Sequence, residues 1–129
     1  MDSEINHVQI EVSEEKGYIL VKPPKGINFW EILTAIGKLL PQDGFLDKHD
    51  IWVFEDGAVS ITYEDLGVIK EYGVNHYPKS AEPKKTAIVI ETNFQRALAE
   101  TYINTGEEHP RKIQIFSDFK EAEQWISSE

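Results

Sequence analysis

The chain predicts an α/β fold: a mostly parallel mixed sheet with an N-terminal antiparallel β-hairpin and about four helices, in the order ββαβαβαβα. Three observations lead there. Thr86, Ala87, Ile88, Val89 and Ile90 form a β-branched apolar run closed by Glu91, Thr92 and Asn93, which reads as a strand covered on both faces. Phe94, Leu98 and Tyr102, with Ala97 between, then recur at helical spacing until Gly106 and Pro110, after which Lys112 to Phe116 resume an extended pattern. That length suits a right-handed crossover between parallel neighbours. At the other end of the chain, Val8, Ile10 and Val12 alternate with Gln9 and Glu11, and Glu14 to Gly17 leave room only for a turn before Tyr18 to Val21. Two strands so joined pair antiparallel.

The remaining elements follow in order. Met1 to Asn6 is polar and is expected to fray. Pro23 and Pro24 stop the second strand, because neither can donate to a ladder. Asn28 with Glu31 three residues on forms a capping box, and Phe29, Ile32, Leu33, Ile36, Leu39 and Leu40 mark one apolar face that Pro41 ends. Trp30 projects off the centre of that face. Gln42 to Asp50 reads as a loop, and Ile51, Trp52, Val53 and Phe54 as a short apolar strand. Thr62 with Asp65 caps a second helix, striped by Leu66, Ile69 and Tyr72 and ended near Gly73 or Asn75. Ser117 or Asp118 caps a last helix carrying Phe119, Ala122, Trp125 and Ile126. The caps read for these three helices agree with their periodicity, and that consistency strengthens the assignment.

Composition bounds the function. The 129 residues fit one domain, with an ordered core over about residues 8–127, and 40% hydrophobic against 28% charged residues argues against global disorder. With 23 acidic and 13 basic residues the formal net charge is -10, a field that repels a phosphate backbone and argues against nucleic-acid partners. Lys84-Lys85 and Arg111-Lys112 are read as solvated strand ends. There is no cysteine, hence no disulfide, thiolate nucleophile or cysteine-based metal site. No apolar run reaches the length of a membrane span and no basic-then-apolar leader opens the chain, so a cytoplasmic protein with no stable membrane insertion is expected.

The strand Ile51-Trp52-Val53-Phe54 with Glu55 and Asp56 after it, the segment Lys85 to Val89, and above all the terminal run Ile115 to Ile126 resemble the small bacterial STAS-like proteins related to the anti-sigma-factor antagonists. This SpoIIAA-like group is described together with the Sec14-type lipid-binding domains as one fold group. The resemblance covers about residues 8–127. It implies a phosphorylatable hydroxyl at the start of the helix after the central strand, for which Ser60 and Thr62 are the candidates, since helix N-terminal amides receive added negative charge. Residues 55–59 lack the serine-glycine arrangement of that family, and the plainer reading makes Thr62 a helix cap and Ser60 a loop residue.

Other constellations are sparse. His7, His49, His76 and His109 fall in terminal or loop segments without metal-ligand spacing; His49-Asp50 can form half of a metal or acid-base site if the fold brings other ligands near, and the plainer reading is a surface polar pair. Glu55 and Asp56, at the carboxyl end of a central strand, are the candidates for magnesium or acid-base chemistry, with turn formation as the simpler explanation. No phosphate loop, zinc motif, nucleophile elbow or dinucleotide fingerprint occurs, and no cofactor is expected. Phe29, Trp30, Phe45, Tyr63, Tyr77 and Phe94 lie near helix starts or in loops, where they can line an apolar pocket or form a protein-binding patch. The expectation is a non-enzymatic interaction or regulatory module that self-associates, for instance as a homodimer, or meets a protein partner. A module for a lipid or apolar metabolite is the alternative, favoured by a pocket between the Phe29–Ile32 helix and the sheet, and a metal-dependent enzyme or hydrolase stands third.

Overall fold

The computed structural model describes residues 8–24, 26–42, 44–54, 61–79 and 82–128, together with the backbone of 2–5. Its elements are β1 (Asp2–Ile5), β2 (Val8–Ser13), β3 (Tyr18–Lys22), α1 (Phe29–Leu39), β4 (His49–Val53), α2 (Tyr63–His76), β5 (Lys85–Val89), α3 (Asn93–Asn104), β6 (Lys112–Phe116) and α4 (Phe119–Ser127). The six strands lie side by side in chain order. Pairings β1–β2 and β2–β3 are antiparallel, and β3–β4, β4–β5 and β5–β6 are parallel. The mixed, mostly parallel α/β architecture therefore stands, with one addition. Asp2–Ile5, expected to fray, pairs with Ile5 opposite Val8 and Asp2 opposite Glu11. An edge strand needs only backbone partners, so its polar composition carried no sign of it.

The hairpin turns where Gly17 takes a φ of 72°, a left-handed value that costs a glycine little, and its N–H donates to Ser13 O at 2.9 Å. Asn28 with Glu31 and Thr62 with Asp65 form reciprocal capping boxes, and Thr92 with Gln95 forms a third. Asp118 caps α4.

Helices α1, α2 and α3 share one face of the sheet. Ile32, Ala35, Ile36 and Leu39 of α1 and Ile69 of α2 pack with Ile19, Val21 and Trp52, while Ala99 of α3 packs with Ile88 and Ile90. Among the described elements the opposite face carries α4, whose Ala122 and Ile126 meet Ile51, Ala87, Val89 and Phe116. Ala87 and Ala122 are both fully buried, and two small side chains let this helix lie close on the strands.

Two charged residues expected at the surface are inside. Asp50 belongs to β4 rather than to a loop and is 1% exposed, and Arg111, read as a solvated strand end, is 6% exposed. Each makes the other's burial tolerable, since an ion leaves water only with a partner.

Candidate functional site

The layer of α1, α2 and α3 does not close completely on the sheet. A cavity of about 120 Å³ remains between them. Its walls come from the inward faces of the helices, Ile36 of α1, Ile69 of α2 and Leu98 of α3, and from Trp52 and Ile88 on the strands beneath. These residues face it because strand side chains alternate, Trp52 toward the three helices and Ile51 toward α4. Toward the carboxyl ends of β4 and β5 it is lined by Phe54, Ile61, Ile90 and Gln95, whose side-chain oxygen accepts Glu91 N at 2.8 Å. The opposite end is polar, with Asp50, Thr86, Tyr77, Tyr102 and His109.

That polar end is built on Asp50. Its Oδ1 accepts the Thr86 hydroxyl from the neighbouring strand and Arg111 Nη1 at 3.0 Å, and its Oδ2 accepts Trp52 Nε1 at 2.8 Å. Arg111 reaches further. Nη1 also donates to Lys48 O at 2.9 Å, and Nη2 to Phe45 O and Leu46 O at 3.3 and 3.4 Å. Its guanidinium lies 5.4 Å from the Phe45 ring centre and 5.0 Å from that of Tyr77. One cation thus ties the α1–β4, α2–β5 and α3–β6 connections together, with every contact a charge-assisted bond or a cation–π pair.

His109 meets the Tyr77 ring edge to face at 4.8 Å. Arg111 N–H donates to its Nδ1 at 2.9 Å, so the neutral ring carries its hydrogen on Nε2. Burial pushes the ring down to about 4, so it is neutral at physiological pH. Burial likewise raises the hydroxyls of Tyr77 and Tyr102 above the usual phenol value. Among the described residues, His109 Nε2 and these two hydroxyls make no hydrogen bond, yet no described side-chain nitrogen or oxygen is both sealed and unpartnered. Space that admits water therefore reaches all three. Gly73 of α2 makes room for the histidine, since a Cβ there would sit 2.7 Å from His109 Nε2.

A second buried cation secures the wall. Lys70 of α2, 2% exposed, donates from Nζ to Tyr102 O, Ile103 O and Thr105 O at 3.1, 2.8 and 3.0 Å, closing the carboxyl end of α3. Lys85 does the same for α4 through Trp125 O and Ser128 O, both at 2.7 Å.

The aromatic candidates divide. Phe45 and Tyr77 are buried, 1% and 8% exposed, and flank Arg111. Trp30, Tyr63 and Phe94 are 70%, 62% and 57% exposed and stand in the first turns of α1, α2 and α3. Each of these helices follows a parallel strand, so the three rings share the carboxyl edge of the sheet. Phe29 is partly buried and meets Trp30 edge to face at 5.0 Å. Thr62 is the α2 cap, its hydroxyl accepting Asp65 N at 3.1 Å. Ser60, Glu55 and Asp56 lie outside the described residues, as does His7. His49 opens β4 and accepts Lys85 N at 2.9 Å, and His76 closes α2. Among the described residues no three His, Cys, Asp or Glu side chains gather for a metal, and no helix is long and apolar enough to cross a membrane.

Sequence reasoning gave Lys70, Tyr102 and Arg111 no site role, set His109 aside with the other loop histidines, and read Asp50 with His49 as a surface polar pair. A signal existed for Asp50, which falls in step with Trp52 and Phe54 on one face of an apolar strand. No protein-family model, curated protein or solved structure matches the chain.

Proposed function

We propose that the protein is a binding module for a small apolar molecule held between the α1–α2–α3 layer and the sheet. The observation that carries this reading is the cavity itself, lined mostly by apolar side chains and with a cluster of polar groups at one end. Protein interiors pack to the density of organic crystals and leave few voids larger than a water. A space of about 120 Å³ is several times what one water needs, and an apolar cavity of comparable size holds a single aromatic ring. The size favours a compact metabolite over a long-chain lipid. Ile32 and Ile36 of α1 form part of the wall, which supports a binding module over a close-packed contact there.

Native mass spectrometry of untagged protein from its own host tests the reading. An extra mass that vanishes on denaturation is expected, and organic extraction should release it. Protein that carries no adduct and gives unchanged isoleucine methyl spectra on exposure to small aromatic compounds would refute it.

A second reading, the STAS-like interaction module, draws on Trp30, Tyr63 and Phe94 at one sheet edge. Aromatic rings anchor interfaces, and a chain with a net charge of -10 steers toward basic surfaces. Sedimentation of the wild type against a variant with all three changed to serine separates the two. A dimer lost in the variant favours the interface, and a monomer in both leaves the cavity as the site.

A further inference from the structure

The polar end of the cavity has a definite hydrogen-bonding character. His109 Nδ1 is occupied by the Arg111 amide, so Nε2 offers a hydrogen. The hydroxyls of Tyr77 and Tyr102 add two more groups that can donate. Asp50, the one charged side chain among the described lining residues, has both oxygens committed to Thr86, Trp52 and Arg111. Arg111 and Lys70 do not line the cavity; they spend their hydrogens on carboxylate and carbonyl oxygens behind it. An anion placed here would face a carboxylate with no cation turned toward it, and a cation would meet a carboxylate whose charge Arg111 already offsets from 3.0 Å. Either charge would lose its hydration without a partner. An uncharged oxygen that only accepts hydrogen bonds fits.

We propose that the cavity selects compact apolar molecules bearing a neutral carbonyl oxygen, a ketone, aldehyde or ester, and that His109 Nε2–H donates to that oxygen while Tyr77 and Tyr102 close around it. The inference rests on the cavity being a binding site and adds the chemistry of what it takes. His109 is here a specificity-determining residue. Gly73 is its positioning partner, because only the missing side chain leaves Nε2 uncovered.

Three probes of similar shape test it by calorimetry and by ¹⁵N spectra of the histidine ring: ethylbenzene, acetophenone and benzoate. Acetophenone is expected to bind about five- to tenfold tighter than ethylbenzene, the worth of one neutral hydrogen bond made in a buried site. Benzoate should bind at least about tenfold more weakly than acetophenone. The His109 Nε2 resonance should move with acetophenone and stay with ethylbenzene. In His109→Phe and in Gly73→Ala, which sets a methyl against Nε2, the ratio of acetophenone to ethylbenzene affinity should fall to about one. Equal binding of ketone and hydrocarbon by the wild-type protein overturns the proposal, as does tighter binding of benzoate or a preference that survives both substitutions. The wild-type comparison stands whether or not the variants fold. Binding of ethylbenzene without the ketone preference defeats this inference alone; failure of all three probes defeats the cavity reading with it.

Discussion

Replacing Asp50 by asparagine keeps the shape of the side chain and removes its charge, and the structure indicates how much that should cost. The carboxylate is 1% exposed and accepts hydrogen bonds from Thr86, Trp52 and Arg111. An amide presents its own two hydrogens where three donors already converge, so at least one donor loses its acceptor, and the guanidinium 3.0 Å away is left with carbonyl partners only. Arg111 is 6% exposed and has no route to water that keeps its contacts with the α1–β4 loop. Breaking a buried ion pair from one side costs about 3–5 kcal/mol. That is a large part of the stability of a domain this size. Urea unfolding followed by tryptophan fluorescence measures it, as a lower midpoint at unchanged slope. The paired change Asp50→Leu with Arg111→Met should recover most of the loss, because it removes the desolvated charges together. A loss below about 1 kcal/mol in Asp50→Asn would show that the pair does not organise the polar end of the cavity.

Other expectations follow from the same contacts. Lys70→Met removes three hydrogen bonds from the carboxyl end of α3 and should cost roughly 2 kcal/mol, with amide exchange accelerating first in the last turn of that helix. His109, pushed from 6.5 to about 4 by burial, binds a proton in the unfolded chain before it does so in the folded one, so stability is present above pH 6.5 and falls as pH drops toward 4. The loss is of order 3 kcal/mol, and a ring titration by NMR should show His109 neutral down to about pH 4. On the alkaline side, Tyr18, Tyr77 and Tyr102 hold their protons beyond the ordinary value of 10.0, so the folded state binds more protons than the unfolded one and stability falls as pH rises above 10. Ala122→Leu forces a larger side chain between α4 and Ala87 and should cost about 1–3 kcal/mol, measured by thermal unfolding.

What sequence could reveal here was what local chemistry determines. Asn28 with Glu31 and Thr62 with Asp65 are reciprocal pairs three residues apart, and a capping box needs nothing from the rest of the chain. The run Thr86 to Val89 announces a strand covered on both faces because no other environment tolerates it, and it is covered by α3 on one side and α4 on the other. The site was hidden for the opposite reason. Asp50 and Arg111 are 61 residues apart and meet only because β4 and β6, whose start Arg111 precedes, lie on either side of β5. Neither carries a local pattern that separates a buried ion from a solvated one. Lys70 and Lys85 fall in the same class, since each closes the end of a helix remote from it in sequence. The cavity was out of reach altogether. It is a space left by the packing of three helices, and Ile36, Ile69 and Leu98 would read as ordinary core residues whether or not a void lay among them.

The most direct test of the binding account is a set of intermolecular NOEs between ethylbenzene and the methyl groups of the folded protein. Contacts to Ile36, Ile69 and Ile88, which line the cavity on three sides, are expected. Contacts confined to the exposed rings of Trp30, Tyr63 and Phe94, or none at all, would contradict it.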